Sequence, residues 1–293
     1  MRPIAIVQHD ALGSPALIGE YLRDARFELD IRRLDWDDPL PDAGELDGLA
    51  ALVTIGEPAG SDDESRAVLA GERELLAAAL VREVPVLAVG VGARQLCLAG
   101  GGDVYTRAGL CLGWEPIEFA ARDEFVYDIH PRPLVFSWRS SVCRLPDDAL
   151  LLADTAAEPQ IFRFGEVAWG VAFHPEIDKD LLRRWFDTDP ALIEATYPGG
   201  LKKLRKVSRR EMLRSAMLCG QLMANFLAAC RVSVRARDRR AGCSWDAGLG
   251  ASRFEEEAGA TPLRAGGARS RCAGGRTRCT AATRQSRRSS RAP

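Results

Sequence analysis

Short apolar runs alternate with helically spaced apolar residues through the first hundred positions. That alternation leaves few architectures open. "PIAIVQ" (3–8) is an apolar run of strand length, as a strand buried on both faces would be. Ser14-Pro15 then supplies a helix N-cap and a first-turn proline, ahead of Leu17, Ile18, Tyr21 and Leu22 at helical spacing. "FELDIRRLD" (27–35) partly alternates and predicts a second strand, and "LAALVTIG" (49–56) a third, fully buried one. Ser61-Asp62-Asp63-Glu64 has the form of a capping box. It predicts a helix facing inward through Val68, Leu69, Leu75, Leu76 and Leu80. Pro85–Val89 is the fourth strand, with a helix from Gly92. Strands and helices in this order predict an α/β fold with a mainly parallel central sheet flanked by helices.

After Gly100-Gly101-Gly102 the pattern changes. Runs such as "GWEPIEFAA", "PLVFSWR", "QIFRFG" and "VAWGVAFHP" are strand-like, separated by turns, and predict antiparallel additions to the sheet. A second capping box, Ser208-Arg209-Arg210-Glu211, predicts a helix with Met212, Leu213, Ala216, Met217, Met223, Phe226 and Leu227 inward, closing the domain near Cys230. Beyond it, residues 231–293 hold 15 Arg, no Lys and five acidic residues, a charge of +10 against −11 for 1–230. No period is visible there, and the Arg/Gly/Ala/Ser composition buries too little apolar surface to offset ordering entropy. The expected organisation is therefore a domain at 1–230 and a disordered tail at 231–293. The Lys-free texture of the tail reads as an unselected extension, as from GC-rich DNA in an unintended frame, and nucleic-acid contact is not expected of it. No run of about 18 apolar residues is evident, so no membrane span is expected, and "MRPIAIVQHDALG" lacks the form of a signal peptide. Eight scattered cysteines without CxxC spacing read as reduced thiols of a cytoplasmic protein. With only His9, His130 and His174 besides, neither a metal site nor a cofactor is expected.

Two segments carry chemistry. In "VPVLAVGVGARQL" (84–96) a buried strand turns abruptly into a helix, and in many α/β enzymes such a turn holds a nucleophile at its tip. Here the tip is Gly90, which has no side chain. In "GVAFHPEI" (170–177), His174 and Glu176 lie two apart at a strand end and project to one side. A carboxylate beside an imidazole fixes its tautomer and stabilises its cation, the base–orienter part of a nucleophilic triad. Taken alone, His-Pro-Glu reads equally well as a strand-end turn.

With these segments in this order, residues 3–230 resemble the class I, triad-type glutamine amidotransferase domains, similar to the glutaminase part of GMP synthase. Gly170-Val171-Ala172-Phe173-His174-Pro175-Glu176 nearly matches the family's G-V-Q-F-H-P-E. "PVLAVGVGARQLCLAGGGDVY" aligns with its elbow and helix, and "VFSWRSSVCRLP" (135–146) with its Trp-His-Gly-Asp segment. The resemblance implies a flavodoxin-like fold, with His174 and Glu176 as base and orienter. It also implies an oxyanion and substrate region formed by Gly56, Glu57, Val91, Arg94, Trp138 and Arg139.

The departures from the family pattern matter as much. The nucleophilic cysteine is replaced by Gly90, and without a thiolate no thioester can form on glutamine. The family's Gly-Gly-Pro loop reads Gly56-Glu57-Pro58, which places a carboxylate where negative charge must develop. Arg94 stands for the family's glutamine, and Arg139-Ser140-Ser141 follows Trp138 in place of His-Gly-Asp. Cys97, seven residues past the elbow, would lie about 10 Å along the helix. Cys111 and Cys143 remain open as displaced nucleophiles. The expectation is a pseudoenzyme retained for binding or regulation. Its expected partners are glutamine or a related small molecule and a synthetase of the kind that receives ammonia in active relatives. The alternatives are a hydrolase using a displaced cysteine or a His174-activated water, and a remnant without function, which soluble expression and a cooperative melt would discriminate.

Overall fold

The computed structural model describes residues 2–56, 67–156 and 158–250, the last ten as backbone alone. Four strands, β1 (Ile4–Gln8), β2 (Leu29–Arg33), β3 (Ala51–Gly56) and β4 (Val86–Gly90), form the parallel half of the sheet. Helices α1 (Ala16–Asp24) and α2 (Ala67–Val81) make the β1–β2 and β3–β4 crossovers, and α3 (Val91–Ala99) follows β4. The antiparallel hairpin β5 (Asp103–Pro116) and β7 (Leu134–Arg144) stands as a separate pair. β6 (Glu118–Phe119), β8 (Leu150–Thr155), β9 (Glu158–Phe164) and β10 (Ala168–Val171) extend the main sheet to the order β2-β1-β3-β4-β10-β9-β8-β6. β10 runs parallel to β4 and antiparallel to β9. α4 (Lys179–Thr188), α5 (Pro190–Thr196) and α6 (Gly200–Gly250) complete the chain. The predicted α/β class, with antiparallel additions, is the observed one.

Alternating residues of β1 show why it lacks a polar face. Ile4 and Ile6 enter one core with Ile18 and Leu22 of α1 and Phe226 of α6. Ala5 and Val7 enter a second core with Leu76 and Ala79 of α2 and Leu96 of α3. A sheet covered on both faces requires apolar residues at both parities, so its strands read as unbroken apolar runs. A third cluster joins the hairpin to α4 through Phe136, Trp138, Trp185 and Phe186.

Three local expectations are corrected. Pro15, not Ser14, occupies the N-cap of α1, and Ser14 Oγ accepts only a long 3.4 Å bond from Ala16 N. Ser208 does not open a helix. α6 is already under way at Gly200, because Leu204 is fully buried one turn earlier, and Ser208 Oγ instead accepts from Trp114 Nε1 at 2.9 Å. Nor does order end at 230, since α6 continues to Gly250. Arg and Ala there are strong helix formers. Val234 packs on the core, and Arg237 donates to Leu49 O at 2.8 Å. The capping box at 61–64 and the tail from 251 lie outside the described residues.

The expectation about apolar runs also needs revision. The α6 segment Gly200–Arg240 contains an 18-residue window of mean hydropathy 1.3, long and apolar enough to cross a membrane by length and composition. Half of that window is buried within the protein, and Leu222, Met223 and Phe226 pack into the first core.

Candidate functional site

Gly56, Gly90, His9 and His174 end or follow strands at the C-terminal edge of the parallel half of the sheet, where open α/β sheets place their ligands. β3 ends at Gly56 and β4 at Gly90, and these two glycines are direct Cα partners across the ladder. His9 follows β1, and His174 lies three residues past β10. Val171 pairs with Val89, one residue before the elbow. Gly90 and His174 thus follow the ends of two adjacent parallel strands.

Gly90 adopts φ +59° and ψ −114° as the chain turns from β4 into α3. A side chain there would be strained, by about 1–3 kcal/mol. Glycine takes this conformation without a Cβ to obstruct it. Val91, the first residue of α3, is buried immediately behind the turn. The cavity against Gly90 measures about 10 Å3 and is lined by Arg94, Arg139, Ser141, Cys143, Pro159 and Ala172. That is room for about one water molecule.

Two arginines occupy the space around it. Arg94, on the first turns of α3, donates to Ser141 Oγ at 2.8 Å. Arg139 is 5% exposed and reaches Glu115 at 3.1 Å and Glu158 at 2.7 Å. Arg107 also contacts Glu158, at 2.6 Å, and Ser137 Oγ donates to Glu115 at 2.5 Å. Buried arginine requires this many acceptors, since an unpaired buried charge is unfavourable by several kcal/mol. Trp138 points to the opposite face of β7, as strand alternation demands. It packs edge-on against Trp185 in the third core and does not line the cavity. Glu57 lies outside the described residues.

His174 and Glu176 form the expected pair. Nδ1 lies 2.9 Å from Glu176 Oε1, with both side chains 1% exposed. Trp185 of α4 stands edge-on to the imidazole at 4.7 Å, and the His174 backbone N–H donates to Phe136 O. His174 Nε2 is buried without a hydrogen-bond partner. Among the described residues, one ring nitrogen of His174 thus meets a carboxylate and the other has no hydrogen-bond partner.

The two cysteines left open behave differently from a triad nucleophile. Burial pushes the Cys111 thiol up to about 11, and its Sγ donates to Glu115. Cys143 does line the cavity. Its hydrogen bond with Cys97, together with burial, raises it well above the ordinary thiol range, while the same contact lowers Cys97. Cys111 and Cys143 are thus held as protonated thiols at neutral pH. Cys97 sits at the far end of α3, with Sγ near the Asp103 and Arg144 carbonyls.

One buried constellation was not anticipated. His9 Nε2 lies 2.8 Å from Glu72 Oε2, and Thr54 Oγ1 donates to the other oxygen of Glu72. A Cβ on Gly56 would collide with the His9 ring, so glycine at the end of β3 is a packing requirement. The available signal was position alone, a histidine directly after the first strand. Glu115 and Glu158 had no local signal, because their meaning comes from pairing with Arg139 across the hairpin.

No family model matches the chain, and no curated protein matches it. Solved structures do. A glutamine amidotransferase from Methylobacillus flagellatus superposes with a TM-score of 0.71 at 18% identity, covering 78% of this chain and 95% of its own. A glutamine amidotransferase from Thermotoga maritima gives 0.68 at 22% identity, covering 77% of this chain and 98% of its own. The fold is the one seen in these two glutamine amidotransferase structures.

Proposed function

We infer that this chain keeps the amidotransferase scaffold without its glutamine chemistry, and acts by binding. The observation that carries this reading is the elbow itself. Gly90 stands at the turn with φ +59°, and the cavity beside it holds about 10 Å3 between Arg94 and Arg139. Thioester formation needs a thiolate at the tip, which Gly90 does not supply, and the small cavity among the described residues there supports the same reading. The binding partners that fit this reading are glutamine or a related small molecule, and a synthetase that in active relatives receives ammonia. The cytoplasm is the compartment that reduced, scattered thiols suit.

The test is ammonia release from glutamine by the full chain against a His174→Ala control. No release above the control is expected. Turnover that disappears in Cys111→Ala or Cys143→Ala would overturn the reading and establish a displaced nucleophile.

A second reading draws on one observation, the unpartnered Nε2 of His174. In it, His174 takes a proton from water, the hydroxide adds to an ester carbonyl, and the alcohol leaves with the proton returned from the imidazole. Hydrolysis of p-nitrophenyl acetate that is lost in His174→Ala would favour this reading over the first.

A further inference from the structure

On the flank of the third core, α4 and α6 leave an open groove of about 790 Å3 between them. Its lining comes from positions 179, 182, 183 and 186 of α4 and 205, 208, 209 and 212 of α6. Both sets follow i, i+3, i+4, i+7, which is one stripe along each helix. Two such stripes side by side form the seat into which a third helix packs.

The seat is amphipathic. Leu182 and Phe186 are 3% exposed and form its floor with the half-buried Met212. Lys179 and Arg183 line the α4 side and Arg205 and Arg209 the α6 side, against Asp187 in the lining and Asp180 beside it, which pairs with Arg183 at 3.3 Å. Asp187 is already paired with Arg205 at 2.9 Å. The rims therefore present net positive charge over an apolar floor.

We propose that the α4–α6 groove is a docking site for an acidic amphipathic helix of a partner protein. Charge complementarity selects the occupant. An apolar face seats on Leu182, Phe186 and Met212, while flanking Glu or Asp side chains meet Lys179 and Arg209 and compete with Asp180 and Asp187 for Arg183 and Arg205, the helix-in-groove mode of recognition. A nucleic acid would use the cations and leave the floor unused. A membrane surface favours a protruding apolar face over a concave one. The groove also touches the site described above, because Trp185, adjacent to Phe186 on α4, stands edge-on to His174 at 4.7 Å. Occupation bears on the histidine through one side chain. This proposal rests on the reading that the chain acts by binding.

Fluorescence anisotropy of a labelled 18-residue synthetic helix tests it, with Leu at i, i+3, i+4 and i+7 and Glu on both flanks, added to the full-length protein. Saturable binding is expected, weakened at least tenfold by Arg205→Glu/Arg209→Glu. The scrambled peptide of equal composition should bind at least tenfold more weakly. Lys202→Glu/Lys206→Glu makes the same charge change on α6 outside the groove and should leave binding within twofold. Circular dichroism and the melting midpoint of each variant confirm folding. Absence of peptide binding overturns the proposal, as does equal weakening by the control pair. Binding only to phosphatidylserine vesicles or to a 20-nucleotide single strand overturns it too. Ammonia release measured in parallel keeps the two readings separable. Peptide binding with glutamine turnover sinks only the loss of chemistry, and neither binding nor turnover sinks only the groove.

Discussion

Gly90 is where a single residue decides most. At φ +59° and ψ −114° it relieves the backbone strain that any side chain would bring to this turn. Gly90→Ala should therefore destabilise the protein by about 1–3 kcal/mol in urea unfolding, despite removing nothing. A neutral or stabilising result would mean that the turn is unstrained. Arg139 gives a second prediction at this scale. Its guanidinium is the one group shared by Glu115 and Glu158, each about a quarter exposed (23% and 24%). Arg139→Met should lower stability by about 1–3 kcal/mol, the range for removing a partner from a partly buried charged hydrogen bond. An unchanged urea midpoint would show that solvent screens the network fully. The turn at Gly90 and the His174–Glu176 contact were legible in the sequence because a turn and a two-residue spacing are local facts. The carboxylates that hold Arg139, and the His9–Glu72 pair, were not, because they meet only after strands far apart in sequence are paired.

Among the elements, α6 shows where periodicity misleads. Its start was obscured by a serine and a glutamate in capping-box order, which the fold uses instead as a bond to Trp114 and an ion pair with Arg214. Its end was obscured by arginine. Composition marks residues 231–250 as unpackable, yet a helix can carry long polar side chains back onto a core edge. Ser233 Oγ donates to Glu83 O, Arg237 to Leu49 O, and Asp238 pairs with Arg2. A chain ending after Cys230 should be less stable than one ending after Gly250 by about 2–3 kcal/mol, at about 1 kcal/mol for each hydrogen bond lost. Equal urea midpoints for the two chains would return the boundary to 230. The β-strands were easier to read. β1, β3 and β4 are buried on both faces and appear as plain apolar runs.

For the molecule as a whole, buried thiols set an alkaline limit. Burial pushes Cys219 and Cys230 upward, Cys143 is raised by Cys97 and burial, and Cys111 lies at about 11 against an unperturbed 9.0. A folded-state value above the unfolded one means that the native state holds its protons longer. The stabilisation is complete below about pH 9 and is lost as pH rises through the folded values. The urea midpoint should thus fall between pH 8 and pH 10.5. The fall should shrink in Cys219→Ala/Cys230→Ala, and an undiminished fall in that variant would place the titrating groups elsewhere. At this scale the fold class was the most legible property of all, since two-sided burial and crossover helices follow from apolar patterning alone.

The central claim is that glutamine chemistry has been lost from the whole site, and that the missing thiol is only part of the loss. Restoring the thiol tests this directly. Gly90 ends β4 and His174 follows the neighbouring β10, so the new thiol of Gly90→Cys is expected to meet His174, whose Nδ1 lies 2.9 Å from Glu176. Such a cysteine is expected to be reactive, so iodoacetamide should alkylate it readily. Arg94 and Arg139 would still line the cavity against Gly90, and on the proposed reading Glu57 would still stand in place of an oxyanion donor, whose loss lowers rate by about 10²–10³. The measurement is steady-state ammonia release from glutamine by Gly90→Cys. The account predicts an alkylatable cysteine and no release above the Gly90→Cys/His174→Ala control. Turnover at an ordinary enzymatic rate of about 1 s⁻¹ or faster would contradict it, and would make Gly90 the sole lesion in an otherwise intact site.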